Sequence, residues 1–400
     1  MKSNIVVSGM GCITACGVGV DALWNSVKTN TSGIHPFQHD YDVGNKVNIA
    51  AKIENFNHLD YFSRQTRIDL FAAYAAIAAR EAIVDSQLPQ EILSDSRTGI
   101  VIGNGLPGAE SICNIITRLV EKSNKKDIFT VPKAMTNAAI SYICIENKIY
   151  GPSYPIGAGC AAGNQAIGLA FQLIRAGILD RAIVGGTEAT IQPYVMRAWE
   201  YMNALSLTGS RPFTIDRDGV VLGEGAGILV IEKEEDVLSR NVKPLGRILG
   251  HSTSNDAFHL LQPDNVGLVK AMQSAIEDSG LSLSDIDYIN AHGTGTELND
   301  RNEIAGIRKV FGSHADSLPI SSTKPIHGHM IAATGAIETI ITIKAMQNNF
   351  APPTINYTTP DPECDMDVIP NIGRNMNINY AMSNNFAFGG INASLVFGKY

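Results

Sequence analysis

Residues 155–168 read Pro155-Ile156-Gly157-Ala158-Gly159-Cys160-Ala161-Ala162-Gly163-Asn164-Gln165-Ala166-Ile167-Gly168, a short strand, a glycine turn and a helix of small side chains. A second stretch repeats this order: Pro319-Ile320-Ser321-Ser322-Thr323-Lys324 leads, after a turn, to Ala332-Ala333-Thr334-Gly335-Ala336-Ile337. Helices so poor in large side chains let two backbones approach closely, which favours a place at the centre of the molecule. The sequence therefore predicts a duplicated chain, with residues 1–240 and 241–400 as its two halves.

Short apolar runs next to glycine recur along the chain and predict strands of a sheet that is covered on both faces. Segments of amphipathic or small residues between them predict helices, and this alternation favours an α/β layered architecture. The clearest predicted strands are Ile5–Val7, Thr98–Ile102, Arg181–Val184, Gly227–Ile231, Tyr288–Ala291 and Ser394–Phe397. The predicted helices are Arg67–Val84, Ala161–Ala176, Leu268–Asp278, Asp300–Phe311 and Ala332–Met346.

The composition is that of a large globular protein. Of the 400 residues, 44% are hydrophobic and 18% are charged, whereas about 25% are charged in an average globular chain. This composition excludes intrinsic disorder and low complexity. No run of apolar residues is long enough to span a membrane, and the apolar run before Gly9 is too short for a signal peptide. We expect a cytoplasmic protein that does not enter a membrane.

The charge balance is acidic, with 31 Lys and Arg against 39 Asp and Glu. Nucleic-acid-binding proteins usually carry a basic excess, so we expect no nucleic-acid partner. An acidic protein partner would have to meet a local cationic patch. The six cysteines are scattered, which suits a reducing cytosol better than a disulfide scaffold. Cys12 and Cys16 form a C-x₃-C pair without a second pair, so we expect no zinc site there.

Cys160 is the first candidate for chemistry because it stands between a predicted strand and a predicted helix. A cysteine at a helix N-terminus gains from the helix dipole and from unpaired backbone N–H groups, and both stabilise a thiolate. The same N–H groups can form half of an oxyanion hole. A small buried cysteine that fills a tight helix contact would give the same pattern. The position by itself leaves both interpretations open.

Two further segments place histidines at predicted strand ends. His292 lies in the segment 290–296, where it would point into the crevice in which open α/β sheets bind ligands; a histidine there also makes ordinary loop hydrogen bonds. Lys324 precedes His327 and His329, and a lysine beside histidines shifts their protonation. His327 and His329 have the spacing of a metal pair, but no carboxylate or cysteine stands at ligand spacing nearby. We therefore expect no metal.

Two glycine-containing segments have competing interpretations. Gly103-Asn104-Gly105-Leu106-Pro107-Gly108 follows a predicted strand and matches the dinucleotide-binding pattern, with Asp127 about twenty residues further on. The residues between read as one helix and a charged loop, without the second strand of a βαβ unit, so we do not expect NAD. The segment Asn384–Asn392 carries two phenylalanines before two glycines. The phenylalanines suit packing, whereas the glycines allow a ligand to approach the backbone closely.

Taken together, several motifs in one order resemble the β-ketoacyl-acyl-carrier-protein synthases of the type II fatty-acid synthase, within the thiolase superfamily. The resemblance covers essentially the whole chain. It rests on the opening Val6-Val7-Ser8-Gly9-Met10-Gly11, on Gly157–Gly168, Gly185–Ala189, Arg211–Gly227 and Asp256–His259, and on the His292 segment, Lys324–His329 and Phe386–Asn392.

The resemblance implies a thiolase-like α/β fold, with two duplicated βαβαβαβαβ halves in a five-layer α-β-α-β-α arrangement, and a homodimer. It implies decarboxylative Claisen condensation of an acyl thioester with malonyl-acyl carrier protein, giving 3-oxoacyl-acyl carrier protein. The partner is then the acyl carrier protein, which supplies phosphopantetheine, and no other cofactor and no metal are implied.

The resemblance also assigns roles to residues. Cys160 matches the nucleophile, His292 and His329 the paired catalytic histidines, and Lys324 their supporting lysine. The remaining matches are Glu338 for a buried carboxylate of that network, Thr294 and Thr296 for the phosphopantetheine contacts, and Phe386 and Phe388 for the gate loop, where the N–H of Phe388 and that of Cys160 would form the oxyanion hole.

The cationic patch for the carrier is predicted from two sources. Arg64, Arg67 and Arg211 fall at positions that resemble the family's carrier contacts, and Lys125 and Lys126 are proposed from charge clustering. Ordinary solvated surface charges are the alternative interpretation of these five residues.

The chain departs from the family pattern mainly near the acyl pocket and gate, where Gly159 replaces an alanine, Ala387 a glycine and Ile391 a threonine. The loop also resembles those of synthases in specialised pathways such as aryl polyenes, so fatty-acid and polyketide synthesis both stay open. A non-catalytic chain-length-factor partner in a heterodimer is one alternative, and Cys160 argues against it. A non-decarboxylating thiolase-like enzyme is another, and two histidines rather than a second reactive cysteine argue against that.

Overall fold

The computed structural model describes residues 4–39 and 41–400, in which strands and helices alternate as the sequence predicts. The strands are β1 (Ile5–Thr14), β2 (Gly17–Val18), β3 (His35–Pro36), β4 (Ile49–Ala50), β5 (Thr98–Gly103), β6 (Ser153–Ile156), β7 (Arg181–Glu188), β8 (Gly225–Lys233), β9 (Gly246–Asn255), β10 (Tyr288–Asn290), β11 (Ile320–Ser321), β12 (Phe350–Ala351), β13 (Arg374–Asn375), β14 (Tyr380–Ala387) and β15 (Ile391–Gly398). The helices are α1 (Val20–Thr29), α2 (Leu70–Ser86), α3 (Gln90–Leu93), α4 (Ala109–Val120), α5 (Thr130–Ala134), α6 (Ala138–Asn147), α7 (Ala162–Arg175), α8 (Pro193–Tyr201), α9 (Glu234–Ser239), α10 (Asn265–Ser279), α11 (Glu297–Phe311), α12 (Lys324–His327) and α13 (Thr334–Asn348).

The large sheet consists of two units with the same strand order. Its path is β11-β10-β14-β15-β9-β1-β8-β7-β5-β6, and β2 pairs with β1 at the side. If the strands of each unit are numbered along the chain, both units have the order 3-2-4-5-1, with β1, β5, β6, β7 and β8 in one and β9, β10, β11, β14 and β15 in the other. In both units the first pairs with the fifth and the fifth with the fourth antiparallel, and the other pairs are parallel. This repeated topology confirms the duplication that the two small-residue helices predict.

The two units meet at the edges formed by β1 and β9, where Ile5–Val7 pairs antiparallel with residues 246–248. Helices α7 and α13 contact both units and each other, so they form the central layer. Glycines allow this close contact, because a Cβ at Gly163 would lie 2.8 Å from the carbonyl oxygen of Ala332 and one at Gly335 only 2.8 Å from the backbone nitrogen of Asn164. The prediction that the small-residue helices lie at the centre is confirmed.

The outer layers cover the other faces of the two units. Helix α2 packs on β1, β7 and β8, and α10 packs on β9 and β15 with α11 beside it. Asp69 begins α2 by accepting a hydrogen bond from the N–H of Phe71. A Cβ at Gly9 would lie 2.1 Å from the carbonyl oxygen of Ala82, so the glycines of β1 serve the contact with this alanine-rich helix. The predicted five-layer α-β-α-β-α arrangement is confirmed.

The structure differs from the sequence prediction in the last two strands of the second unit. The βαβαβαβαβ pattern places a helix there, but β14 and β15 form a hairpin closed at residues 388–390. β14 was not among the clearest predicted strands because buried Ser383, Asn384 and Asn385 interrupt its apolar residues. β9 was not predicted for a similar reason, because its second half is polar and partly exposed.

Strand direction brings the candidate residues to one region. The carboxyl ends of β5, β6 and β7 and those of β10, β11 and β14 lead into the loops that carry them, which is where open α/β sheets bind ligands. Within the described residues, no helix combines the length and the apolar composition that a membrane span requires.

Candidate active site

Cys160 lies between β6 and α7, in the short 3₁₀ turn Gly159–Ala161. Its side chain is 7% exposed and lines a cavity of about 430 Å³. Gly159 has φ +50°, which a glycine adopts without strain, and a Cβ there would lie 3.4 Å from that of Ala387. The turn therefore places Cys160 at the N-terminus of α7 and against the loop that follows β14.

Both predicted catalytic histidines reach this cavity. The Nε2 of His329 lies 3.0 Å from the Sγ of Cys160, and the rings of His292 and His329 are 5.5 Å apart, nearly perpendicular. Phe386 packs edge-on against His292 at 5.8 Å. The structure thus brings Cys160 together with two histidines that lie 132 and 169 residues further along the chain.

The geometry distinguishes His329 from the nearby His327. His327 is fully buried, and its Nδ1 bonds the carbonyl of Gly328 at 2.7 Å while its Nε2 faces the hydroxyl of Thr323 at 3.0 Å. Burial and the charge of Lys324 lower the pKa of His327 to about 3. His327 is therefore a neutral core residue, and His329 is the histidine that faces the thiol.

A buried ion pair lies behind the histidines. The Nζ of Lys324 donates to the Oε1 of Glu338 at 2.6 Å and to the carbonyl oxygen of His292. Asn385 donates to the other oxygen of Glu338 at 2.7 Å. Both charged side chains are almost completely buried, at 1% and 0% exposure. The network therefore places the Lys324 ammonium beside the site, paired with Glu338, and attaches it to the backbone of His292.

Sequence reasoning missed Glu303, which fixes the position of His292. Its two carboxylate oxygens accept the N–H groups of His292 and Gly293, each at 2.7 Å. Burial raises the pKa of this carboxyl to about 7. The available signal was an acidic residue on the apolar face of α11, next to Ile304 and Ile307.

Burial dominates the protonation of the site. It raises the pKa of the Cys160 thiol to about 12, and the charge of Lys324 opposes that rise without overcoming it. Burial and Lys324 together lower the pKa of His292 and of His329 well below the ordinary histidine value. At neutral pH the site therefore holds a neutral thiol and two neutral imidazoles. The sequence predicts that the helix N-terminus lowers the thiol pKa, but desolvation of the buried thiol is the larger effect and raises it.

The glycine-rich segment after β5 has a structural role. Glu188, at the end of β7, accepts the N–H of Gly105 at 3.0 Å and that of Leu106 at 3.1 Å. It also accepts the N–H of Ala332 at 3.3 Å. A dinucleotide-binding loop offers such N–H groups to pyrophosphate, but here a buried carboxylate occupies them. Glu188 was noted only as part of a motif, and its function is to join this loop to the segment after His329.

The predicted ligand-contact residues line the outer part of the cavity. Thr294 and Thr296 face it with their hydroxyls 2.9 Å apart. Phe388 is 46% exposed at its mouth and rests on Trp199, with ring centres 5.8 Å apart. Trp199 was also missed, because a tryptophan in an amphipathic helix normally indicates core packing. In the described part of the chain, the N–H of Phe388 has no acceptor, as a free oxyanion donor requires.

The predicted carrier contacts separate into two groups. Arg67, Lys125 and Lys126 line one groove together with Arg118 and Lys133, and we call these five residues the basic groove. Arg64 is exposed but does not line it, although its carbonyl accepts a hydrogen bond from Arg67.

Arg211 lies outside the basic groove and is engaged by its own neighbours. Its guanidinium is 3.1 Å from Asp218 and 3.4 Å from Asp216. Two carboxylates therefore already balance the charge that was predicted to meet a carrier.

Comparisons with known proteins agree with this geometry. Residues 2–237 match the family described as beta-ketoacyl synthase, N-terminal domain, and residues 245–358 match its C-terminal domain. The 3-oxoacyl-[acyl-carrier-protein] synthase 2 of Staphylococcus aureus (strain COL) is 38% identical over 409 residues, which cover 100% of this chain and 99% of that protein.

Two solved structures cover 100% of this chain and are themselves covered completely. The ishigamide ketosynthase/chain length factor superposes with a TM-score of 0.95 at 30% identity. A type II polyketide ketosynthase, AntDE, in complex with its acyl carrier protein AntF, superposes with a TM-score of 0.92 at 29% identity. With its cysteine and two histidines in one buried cavity of a duplicated five-layer fold, this chain belongs to the β-ketoacyl synthase family.

Proposed function

We propose that this chain catalyses the decarboxylative Claisen condensation of an acyl thioester with malonyl-acyl carrier protein. The observation that carries the proposal is that the Cys160 sulfur and two neutral imidazoles line one cavity, all three side chains being buried. A thiol supplies the acyl acceptor, and neutral imidazoles supply N–H donors for a developing enolate. The product is a 3-oxoacyl-acyl carrier protein that is two carbons longer than the acyl group.

The first half-reaction transfers the acyl group to Cys160. The thiol loses its proton to solvent, the thiolate attacks the thioester carbonyl, and a carbon–sulfur bond forms. The N–H groups of Cys160 and Phe388 hold the tetrahedral oxyanion, each contributing about 2.7–4 kcal/mol by analogy with other oxyanion holes. The carrier's thiolate then leaves and takes a proton from water. The positive charge of Lys324 favours the thiolate over the thiol throughout this step.

The second half-reaction starts when malonyl-carrier protein replaces the first carrier. The bond between the malonyl carboxylate and C2 breaks, carbon dioxide leaves, and the electron pair forms an enolate. His292 and His329 donate hydrogen bonds to the enolate oxygen. Their lowered pKa keeps both rings neutral, so each ring has one N–H to donate. C2 then attacks the acyl carbonyl on Cys160, and the sulfur leaves as thiolate.

We propose that the site works without a resident metal or cofactor. The donor atoms of Cys160, His292 and His329 lie within 4.8 Å of one another, a set that could ligate zinc. Lys324 opposes this because its positive charge acts on all three groups. Thr294 and Thr296 are placed to contact the phosphopantetheine arm that a carrier brings into the cavity.

The direct test supplies purified protein with a panel of acyl-carrier thioesters and malonyl-carrier protein. Mass spectrometry should show an acyl group on Cys160 and a 3-oxoacyl product, with one carbon dioxide released per product. A parallel reaction with a chelator should proceed at the same rate. The proposal is wrong if no thioester acylates Cys160, which is the behaviour of a non-catalytic chain-length partner. Acylation followed by condensation without carbon dioxide release would instead indicate a thiolase-like enzyme.

We propose that the basic groove docks the acidic acyl carrier protein. Arg67, Lys125 and Lys126 are exposed there, and the groove's lining has two carboxylates, Glu110 and Asp127, against its five basic side chains. Asp127 pairs with Lys133 at 2.7 Å, so the remaining basic side chains dominate the field at the groove. Such local potentials attract an acidic partner even though the chain as a whole is acidic.

Reversing two charges of the basic groove is expected to weaken carrier binding. Arg67→Glu with Lys126→Glu should raise KM for carrier-bound substrate about threefold to tenfold, with kcat and short thioester analogues unaffected, because exposed charges mainly steer association. Lys270→Glu, a single charge reversal at an exposed position of α10 outside the groove, is the control for altered net charge. An equal KM for the double variant, Lys270→Glu and the parent would remove the groove from consideration.

We propose a dimer in which the apolar face of α4 is covered. That face exposes Ile112, Ile115, Ile116, Leu119 and Val120 between 37% and 71%, an area that a single folded chain rarely leaves open. A second copy of this chain is the simplest occupant, since α4 follows directly on the loop that Glu188 ties to the site. Sedimentation should give twice the chain mass of 42.9 kDa, and a single-chain mass would contradict the proposal.

A further inference from the structure

We infer that Thr334 is a positioning residue that fixes which ring nitrogen of His329 carries the proton. The inference rests on the proposed function, because it states how His329 comes to present an N–H to the enolate. The Oγ1 of Thr334 lies 3.0 Å from the Nδ1 of His329. On the other side of the ring, Nε2 faces the Sγ of Cys160 at the same distance.

The hydroxyl of Thr334 has one place to donate. Thr334 is completely buried at the first position of α13. Among residues 4–39 and 41–400, its Oγ1 makes no other hydrogen bond than the one with His329. A buried hydroxyl that keeps its proton unpaired costs free energy, so the proton points at Nδ1, which must then be the acceptor.

The charge state of His329 makes this hydrogen bond decisive. Burial and Lys324 lower its pKa well below the ordinary value, so the ring is neutral and carries a single proton. When Nδ1 accepts from Thr334, that proton resides on Nε2, the atom that faces Cys160. In the opposite tautomer, both Nδ1 and the hydroxyl would present protons to one another, and one of them would lose its partner.

Among the described residues, no hydroxyl forms a hydrogen bond with the ring of His292. Its Nδ1 lies 3.5 Å from the amide nitrogen of Asn385, and both protons of that amide have other acceptors, Glu338 at 2.7 Å and the carbonyl of Asn384 at 2.8 Å. Glu303 and Lys324 hold the backbone of His292 rather than its ring. A hydroxyl that selects the tautomer is therefore specific to His329, and loss of Thr334 should affect that histidine alone.

The tautomer can be measured without any activity. Protein labelled with ¹⁵N in its histidines, observed by long-range proton–nitrogen NMR, should show for His329 an unprotonated Nδ1 and a protonated Nε2 near neutral pH. His329→Ala identifies the signal by its disappearance. A protonated Nδ1 would overturn the inference, whatever the enzyme's reaction proves to be.

Kinetics then test whether the tautomer matters. Thr334→Val removes the hydroxyl at nearly constant shape and should lower kcat for malonyl decarboxylation about threefold to tenfold, the equivalent of one lost hydrogen bond. KM should stay unchanged, because the enolate contact forms only in the transition state. Thr334→Ser keeps the hydroxyl and should restore the rate.

Thr342→Val provides the matched control. Thr342 is buried in the same helix, and its hydroxyl donates to the carbonyl of Glu338 rather than to a histidine. This variant should lose similar stability but keep the parent's kcat. If Thr334→Val decarboxylates as fast as the parent, or if Thr334→Ser fails to recover, the inference is wrong. A parent protein that releases no carbon dioxide would instead refute the proposed function and leave the NMR result to decide the tautomer.

Discussion

Replacing Cys160 by alanine is expected to abolish condensation while the protein still releases carbon dioxide from malonyl-carrier protein. Without the sulfur no acyl-enzyme forms, so product formation should fall on the order of 10⁴-fold or more. Decarboxylation needs only the two imidazole donors, and these are held by groups other than the cysteine. Glu303 and Lys324 form hydrogen bonds with the backbone of His292, and Thr334 forms one with the ring of His329.

The histidine variants should show the opposite pattern. His329→Ala and His292→Ala should each lower decarboxylation about 10²-fold to 10³-fold, the usual loss for one oxyanion donor. His292→Ala should still accept an acyl group on Cys160. In the described part of the chain, the ring of His292 makes no hydrogen bond with the sulfur, whereas that of His329 does. His329→Ala should acylate too, but more slowly, because it loses the group 3.0 Å from Sγ.

Carbon dioxide release and acyl-enzyme mass, measured for the three variants side by side, decide the matter. Thermal unfolding of each variant shows whether it remains folded. If folded Cys160→Ala no longer releases carbon dioxide, the sulfur itself participates in decarboxylation and the division of roles is wrong.

The sequence could identify Cys160 and His292 as candidate residues because they stand at places where the local pattern is informative. Cys160 follows a glycine turn before a helix, and His292 follows a buried strand and precedes two glycines, so backbone geometry alone directs both to the sheet edge. The duplication was visible for the same reason, because residues 155–168 and 319–337 share an unusual pattern, a strand and a turn followed by a helix of small residues. Their meeting with His329 could be inferred only through the family resemblance.

The residues that hold the site in place could not be predicted in this way. Glu303, Thr334 and Glu188 act through hydrogen bonds to backbone or ring atoms of other segments. An acidic or hydroxyl side chain taken alone predicts solvent exposure, and only tertiary packing shows that these three are buried. The prediction of a lowered thiol pKa failed for a related reason. The helix dipole is a local effect, whereas desolvation depends on all the residues that cover Cys160.

Replacing Lys324 by methionine is expected to destabilise the fold as well as the site. Glu338 would lose the ammonium group 2.6 Å away and would remain a completely buried carboxylate. Removing one partner of a buried pair typically costs about 3–5 kcal/mol of unfolding free energy. Lys324→Met combined with Glu338→Gln removes both charges of the pair and keeps an acceptor for Asn385, so most of that loss should be recovered.

The pH dependence of the single variant gives the sharper test. Burial already raises the pKa of Glu338 and Lys324 opposes the rise, so removing the lysine must raise that pKa further. The native state then binds a proton that the unfolded chain has released, and stability falls as pH rises above the unfolded value of 4.5, by at most about 1.4 kcal/mol per pH unit. Denaturant unfolding should therefore show a larger loss of stability at pH 8 than at pH 5 for Lys324→Met. The double variant should show the same loss at both pH values.

The double variant should nevertheless condense slowly, because the thiol of Cys160 loses the cation that favours its thiolate, and each unit of pKa increase lowers the thiolate fraction about tenfold. A double variant as active as the parent would show that Lys324 serves the fold alone.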